Sequence, residues 1–128
     1  MQRFGPDTQL ASQSKGEIVM DILNEMNNKT KLLDLQVANL GKTGRDYAKA
    51  YTEYRVALAK ELVKLKDEGY AITLAGDIAR GKPEIARLKF QEIAAEALYK
   101  ANLESINCLK LEIKILQSQI DKEWAHNE

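Results

Sequence analysis

The sequence is poor in the residues on which protein chemistry most often depends. It has one cysteine, one histidine, one tryptophan and two prolines in 128 residues. Cys108 has no second cysteine to join, which excludes an intrachain disulfide and fits a reduced, intracellular setting. His126 is the lone histidine, so a zinc site has few ligands to draw on, and a histidine-based triad would rest on a tail residue. Carboxylate-bridged di-iron bundles need two Glu-x-x-His pairs, and only Glu123-Trp-Ala-His126 is present. Neither phosphate-binding glycine pattern, G-x-x-x-x-G-K-S/T or G-x-G-x-x-G, occurs. No apolar run approaches the ~18 residues of a membrane span, and residues 1–14 lack the apolar stretch of an export signal. No metal, cofactor or membrane partner is therefore expected. Basic and acidic residues balance at 19 each, so the chain as a whole has no general pull toward nucleic acid or anionic lipid.

What is present is helical periodicity. A length of 128 fits one domain, and with 45% hydrophobic but only 6% aromatic residues its core should be Leu, Ile, Val and Ala. Residues 1–13 lack periodicity and include Gly5-Pro6, so a flexible N-terminal arm is expected ahead of a single helical domain over residues 14–128. Ser14-Lys-Gly-Glu17 matches a capping box at a helix start. The stripe Val19, Ile22, Met26, Leu33, Val37 and Leu40 carries a first helix to about Leu40, with Asn27-Asn28 weakening its middle. Gly41 is expected to close that helix and Lys42-Thr43-Gly44 to turn the chain. A second helix, from near Arg45 to near Glu68, buries Tyr47, Tyr51, Tyr54, Leu58, Leu62 and Leu65. Gly69 is its left-handed terminator, with Tyr70 folding back. A two-turn helix capped by Thr73 and stopped by Gly81 follows, with Leu74 and Ile78 facing inward, and Pro83 sits in the first turn of the last helix.

From Glu84 to Glu128 there is no glycine and no proline. Ile85, Tyr99, Ile106, Ile113 and Ile120 are spaced in multiples of seven, and Leu88, Ala95, Leu109 and Leu116 follow three residues behind such positions. A helix from Glu84 to Trp124 has 41 residues and runs roughly 60 Å. A second line, Phe90, Ala94, Ala97, Ala101, Cys108, Leu111 and Ile115, demands a second neighbour. Two other helices of about 24 residues each cannot cover such a rod on all sides. The expected fold is all-α: an antiparallel three-helix unit with a short connector helix and a long C-terminal helix, assembled as a coiled-coil oligomer. Glu92, Asn102 and the Phe90-Ala line are expected to pack inside the monomer. Ile106, Leu109, Ile113, Leu116 and Ile120 are expected to meet a second copy, a dimer being favoured, with Asn102 setting register.

Four chemical readings compete with this one. Lys64, Lys66, Arg80, Lys82, Arg87 and Lys89 make the connector end locally basic, and Thr73–Leu88 has the outline of a helix-turn-helix, so nucleic-acid contact is the alternative. Asp67, Glu68, Asp77 and Glu84 dilute that charge, and a recognition helix would here be the start of a long rod, so a plain connector is favoured. Glu92 and Glu96, like Glu17, Asp21 and Glu25, share helix faces, but their E-x-x-x-E spacing differs from the E-x-x-E and E-x-x-D pairs of all-helical Mg²⁺ pyrophosphatases. Gly41-Lys-Thr-Gly44 imitates the end of a P-loop but follows a helix. Tyr47, Tyr51 and Tyr54 are better read as packing groups than as a base-stacking platform.

The run GYAITLAGDIARGKPEIARLKF (69–90), followed by ALYKANLESINCLKLEIKILQSQIDKEW (97–124), resembles small all-helical proteins encoded by phages and prophages of Gram-positive bacteria. Their common pattern is a glycine-aromatic turn, a leucine-rich short helix and a long helix ending near Ile-x-x-x-Trp. The resemblance spans about residues 45–124 and leaves the first 40 uncovered. It implies a phage accessory protein of unassigned role in the cytoplasm of a bacterial host, with a phage or host protein as partner. It carries over no functional residue. The resulting expectation is a non-enzymatic protein-protein interaction or assembly protein.

Overall fold

The computed structural model describes residues 14–126, with side chains through Ala125. The expected arm over residues 1–13 lies outside the described residues, and so does the His126 side chain. Three helices follow one another: α1 (Lys15–Asp67), α2 (Ile72–Gly81) and α3 (Pro83–His126). No strand occurs among the described residues.

The first long helix differs from the sequence expectation. The two helices expected on either side of Gly41–Gly44 are one helix of 53 residues, and Asn27-Asn28 does not break it either. Each interior glycine costs about 1 kcal/mol relative to alanine. The phase of the apolar stripe offsets that cost. Val19, Met26, Leu33, Leu40, Tyr47, Tyr54 and Glu61 lie seven apart without interruption, and all are buried or half-buried. A turn at Gly41 would have thrown the two halves of this stripe out of register.

The end of α1 is the Schellman motif expected at Gly69. That glycine has φ 97°, the only positive φ among the described residues. The Tyr70 N–H donates to the Leu65 carbonyl at 3.2 Å and the Gly69 N–H to the Lys66 carbonyl at 3.0 Å. Tyr70 itself stays exposed. At the other end the Ser14 hydroxyl accepts from the Glu17 N–H at 3.1 Å, the serine half of the capping box.

The connector helix also departs from expectation. It starts at Ile72 after Ala71, which offers no side-chain cap, so Thr73 is not the N-cap. Ala75, Gly76 and Ala79 form its buried face, while Leu74 is exposed and Ile78 half-buried. Small residues let this short helix come close to its neighbours, where leucine at position 74 would not fit. Lys82 then joins α2 to α3. Its N–H donates to the Ala79 carbonyl at 3.2 Å, and its own carbonyl accepts from Ala86 at 2.9 Å. Its ammonium group donates to Glu61 on α1. Pro83 opens α3 as its first residue, where a missing N–H costs little.

By its internal contacts the chain divides into two compact units, Val37–Glu104 and the described parts of Met1–Gln36 with Ser105–Glu128. The first holds the hydrophobic core, in which Tyr54, Leu58 and Leu65 of α1 meet Ala75 and Ala79 of α2 and Ile85 and Leu88 of α3. The second is a two-helix unit. There Ile106, Leu109, Leu116 and Ile120 of α3 are buried, and Lys29 of α1 pairs with Glu112 at 2.7 Å.

Two outcomes follow from this architecture. Because Gly41 and Gly44 are helical, alanine at either position should raise stability by about 0.5–1 kcal/mol in urea denaturation followed by circular dichroism. An added Cβ would meet only the flexible end of Arg45 at 3.2 Å or the Tyr99 ring at 3.5 Å. Gly69→Ala should instead destabilise by about 1–2 kcal/mol, from the left-handed backbone. If Gly41 and Gly44 formed a turn, their alanine variants would lose stability too.

The second outcome concerns acid. Hydrogen bonding to Lys82 holds the Glu61 carboxyl below its ordinary 4.5, against the opposing effect of burial, and the Lys82 charge adds to the lowering. A depressed folded value means the pair contributes fully above the unfolded value and is lost as pH falls through the folded one. Glu61→Gln should therefore flatten the acid limb of the stability curve below about pH 4.5. Denaturation series from neutral to acid pH, run on both proteins, measure this; parallel curves would count against it.

Candidate functional site

In the Val37–Glu104 unit the seam is not wholly apolar. Thr43 and Tyr47 on α1, and Glu92, Tyr99 and Asn102 on α3, occupy seam positions that a coiled coil normally gives to aliphatic residues. Asn102 is 4% exposed and Glu92 8%. The Thr43 hydroxyl lies 2.8 Å from Asn102 Oδ1, to which it donates, and 3.2 Å from the Leu40 carbonyl. Thr43 reaches this position only because Gly41–Gly44 is helical; as part of a turn it would not face the seam. Four residues further along α1, the Tyr47 hydroxyl donates to Glu96 Oε2 at 3.0 Å, and its ring lies 5.9 Å from that of Tyr99. Gly44 adjoins that Tyr99 ring. The hydrogen bond to Glu96, then burial, raises the Tyr47 phenol above its ordinary 10.

Glu92 is held locally. Lys89 donates to its Oε2 at 2.8 Å while lying 4.9 Å from the centre of the Tyr54 ring. The hydrogen bond to Glu92 raises the Lys89 ammonium above its ordinary 10.5. Lys100 stands 3.5 Å from Glu96. Both carboxylates considered for magnesium are thus engaged by cations or a phenol. Among the described residues no group of three or more His, Cys, Asp or Glu is placed to hold a metal ion. Glu92–Lys89 and Glu96–Lys100 are pairs within α3, while Tyr47 with Glu96 and Lys89 over the Tyr54 ring reach across to α1. The tyrosines are dispersed in the same way, with Tyr54 buried, Tyr47 half-buried and Tyr51 exposed, so they form no common platform.

The basic residues of the connector end are partly consumed as well. Lys82 pairs with Glu61, Arg87 with Glu84 at 2.7 Å, and Lys89 with Glu92. Lys64, Lys66 and Arg80 remain exposed, with the Arg80 guanidinium lying against Gly76. Six scattered cations thereby reduce to three outside ion pairs among the described residues, a weak basis for phosphate binding.

Glu92 and Asn102 are buried as expected, whereas the later seam residues and the Phe90-Ala line depart from expectation in opposite directions. Ile106, Leu109, Leu116 and Ile120 are buried inside one chain and Ile113 is half-buried, as is the whole heptad seam from Ile85 onward. Asn102 likewise spends its amide within the chain. The expectation of a second copy on this seam assumed helices of about 24 residues, and α1 at 53 residues supplies the cover they could not. The line expected to pack inside the monomer is the exposed one. Phe90 is 72% exposed, Leu111 59% and Ile115 49%, with Ala94, Ala97, Ala101 and Cys108 also at the surface.

Among the described residues the protein is all-helical. No helix is long and apolar enough to cross a membrane among the described residues. Comparison with known proteins returned no matching family model, curated protein or solved structure.

The Thr43–Asn102 pair can be tested by a double-mutant cycle. Asn102→Leu alone should cost about 1–3 kcal/mol, since it takes from the Thr43 hydroxyl its nearer acceptor and leaves only the Leu40 carbonyl at 3.2 Å. Thr43→Val added to it should recover most of that loss, because two apolar partners need no hydrogen bond, and Thr43→Val alone completes the cycle. Chemical denaturation of the four proteins reads the coupling directly, and simple additivity would show that the two groups do not work as a pair.

Proposed function

We propose that this chain is a non-enzymatic helical interaction protein, an accessory of a phage or prophage, that self-associates through α3 with a dimer favoured. The observation that carries the reading is the exposed apolar line on α3. In a helix whose heptad seam is already filled, the opposite face is normally polar. Here it holds Phe90, Ala94, Ala97 and Ala101 and, beyond Glu104, Cys108, Leu111 and Ile115, at spacings of three and four within each group. Isolated exposed apolar residues are common on any protein, whereas such groups on one face mark a surface made to be covered.

The rest of the reading concerns how that surface is presented. Cross-helix partners in the Val37–Glu104 unit are Thr43 with Asn102, Tyr47 with Glu96, Tyr54 with Lys89 and Glu61 with Lys82. One residue number rises as the other falls, which supports an antiparallel course for α1 and α3. In this reading Asn102, Ile106, Leu109, Ile113, Leu116 and Ile120 hold the hairpin together, and association uses the other side of α3. The half-consumed basic end makes nucleic-acid binding the weaker alternative.

Light scattering separates these roles. Wild type at tens of micromolar, within the usual range of specific assembly, should exceed its 14.4 kDa monomer mass. Leu111→Glu with Ile115→Glu should return it to monomer with helicity unchanged, while Ile113→Asp with Leu116→Asp should lose helicity as well. A wild type that is monomeric at these concentrations would overturn self-association.

A further inference from the structure

The two-helix unit is short of core. None of its α1 residues is buried, since the buried residues of α1 are Tyr54, Leu58 and Leu65, all beyond Gln36. Its interior therefore rests on Ile106, Leu109, Leu116 and Ile120, backed by half-buried Val19, Ile22, Met26 and Leu33. Two helix segments of this length bury little surface between themselves alone.

One flank of the unit is suited to supply the missing cover. Between the helices on that side lies a shallow cleft of about 180 Å³, lined by Glu25 and Lys29 of α1 and by Glu112, Ile115 and Leu116 of α3. Leu32 lies seven residues after Glu25 and so occupies the same edge of α1 two turns on, with Leu35 one turn beyond it. Cys108 lies seven residues before Ile115 on the matching edge of α3. Leu32 is 48% exposed, Leu35 66% and Ile115 49%. Both helices thus offer apolar side chains to the same side. At the border, Lys29 and Glu112 neutralise each other at 2.7 Å.

We infer that a second copy of this chain covers this flank, so that two hairpins stack side by side with Leu32, Leu35, Cys108 and Ile115 of each at the contact. This rests on the self-association reading and adds α1 to it. The size of the face favours a hairpin as occupant. Twenty-two residues of helix run roughly 33 Å, and two helices are about 20 Å wide, giving on the order of 700 Å². Stable dimers bury about 800 Å² per partner, so a second hairpin fills the face whereas a lone helix would cover about half. A twofold contact also needs a surface that can meet its own copy; the apolar centre can do so, while the border sets Lys29 against Glu25 and Glu112, one acidic charge in excess per copy.

The test combines mass and thiol access on the full chain. Wild type and Leu32→Glu/Leu35→Glu are compared by light scattering and circular dichroism, with Ile93→Glu/Leu98→Glu as a second variant. Leu32, Leu35, Ile93 and Leu98 are all well exposed, so the fold should survive each change. The expected result is a wild-type dimer, a monomer of equal helicity for the Leu32/Leu35 variant, and a retained dimer for the Ile93/Leu98 variant. Cys108, exposed in the single chain, reports separately. Its labelling by maleimide should slow several-fold as wild-type concentration rises, and should be independent of concentration in the Leu32/Leu35 variant. A dimer that survives Leu32→Glu/Leu35→Glu, or is broken only by Ile93→Glu/Leu98→Glu, overturns this inference and leaves self-association standing. A monomeric wild type overturns both.

Discussion

The structure depends on an uninterrupted seven-residue phase in its two long helices. In α1 that phase runs from Val19 to Glu61, and in α3 from Ile85 to Ile120. Each stripe keeps one face of its helix toward a neighbour, turn after turn. The consequence is strongest at Gly41 and Gly44. Two glycines within four residues would ordinarily end a helix, yet the stripe on both sides is in step, and extending the helix keeps every contact in place. The exposed line on α3 follows from the same constraint, because a filled seam leaves only the opposite side for anything else.

A regular repeat carries its own hazard, since sliding by seven residues superimposes one set of aliphatic side chains on the next. Polar groups on the seam remove that freedom. Thr43 opposite Asn102, and Tyr47 opposite Glu96, find partners in one register only. The connector contributes in another way, through the Schellman turn at Gly69 and the Lys82–Glu61 pair at the start of α3. The buried amide of Asn102 takes part in this cross-helix pairing, whereas the buried carboxylate of Glu92 is held by Lys89 on its own helix.

Much of the fold was legible from residues alone, and the reasons can be stated locally. The terminator at Gly69 was readable because a glycine directly after a periodic stripe has one strong meaning. Pro83 and the α3 seam were readable for the same kind of reason. Thr73 and Leu74 were misread because local cap and hydrophobicity rules ignore how closely α2 must approach its neighbours, and that favours Ala75, Gly76 and Ala79. The Gly41–Gly44 turn was misread although a signal was present. Leu33, Leu40, Tyr47 and Tyr54 are spaced by sevens across it, and Thr43 falls three residues after Leu40 and four before Tyr47. The candidate surface was legible as a line of residues but was given the wrong orientation.

The sequence by itself determined the helical class, the helix ends at Gly69 and Pro83, and the existence of two apolar lines on α3. Each depends on the spacing of residues along one helix or on the backbone freedom of a single residue. Only the tertiary structure decided which line is covered and which is free. That choice turns on how much neighbouring helix is available, and so on whether the segment around Gly41 bends or continues. It also decided the partners of Asn102, Glu92 and Glu96, because a hydrogen bond between residues 59 apart is set by register across the helix pair and by nothing local to either residue.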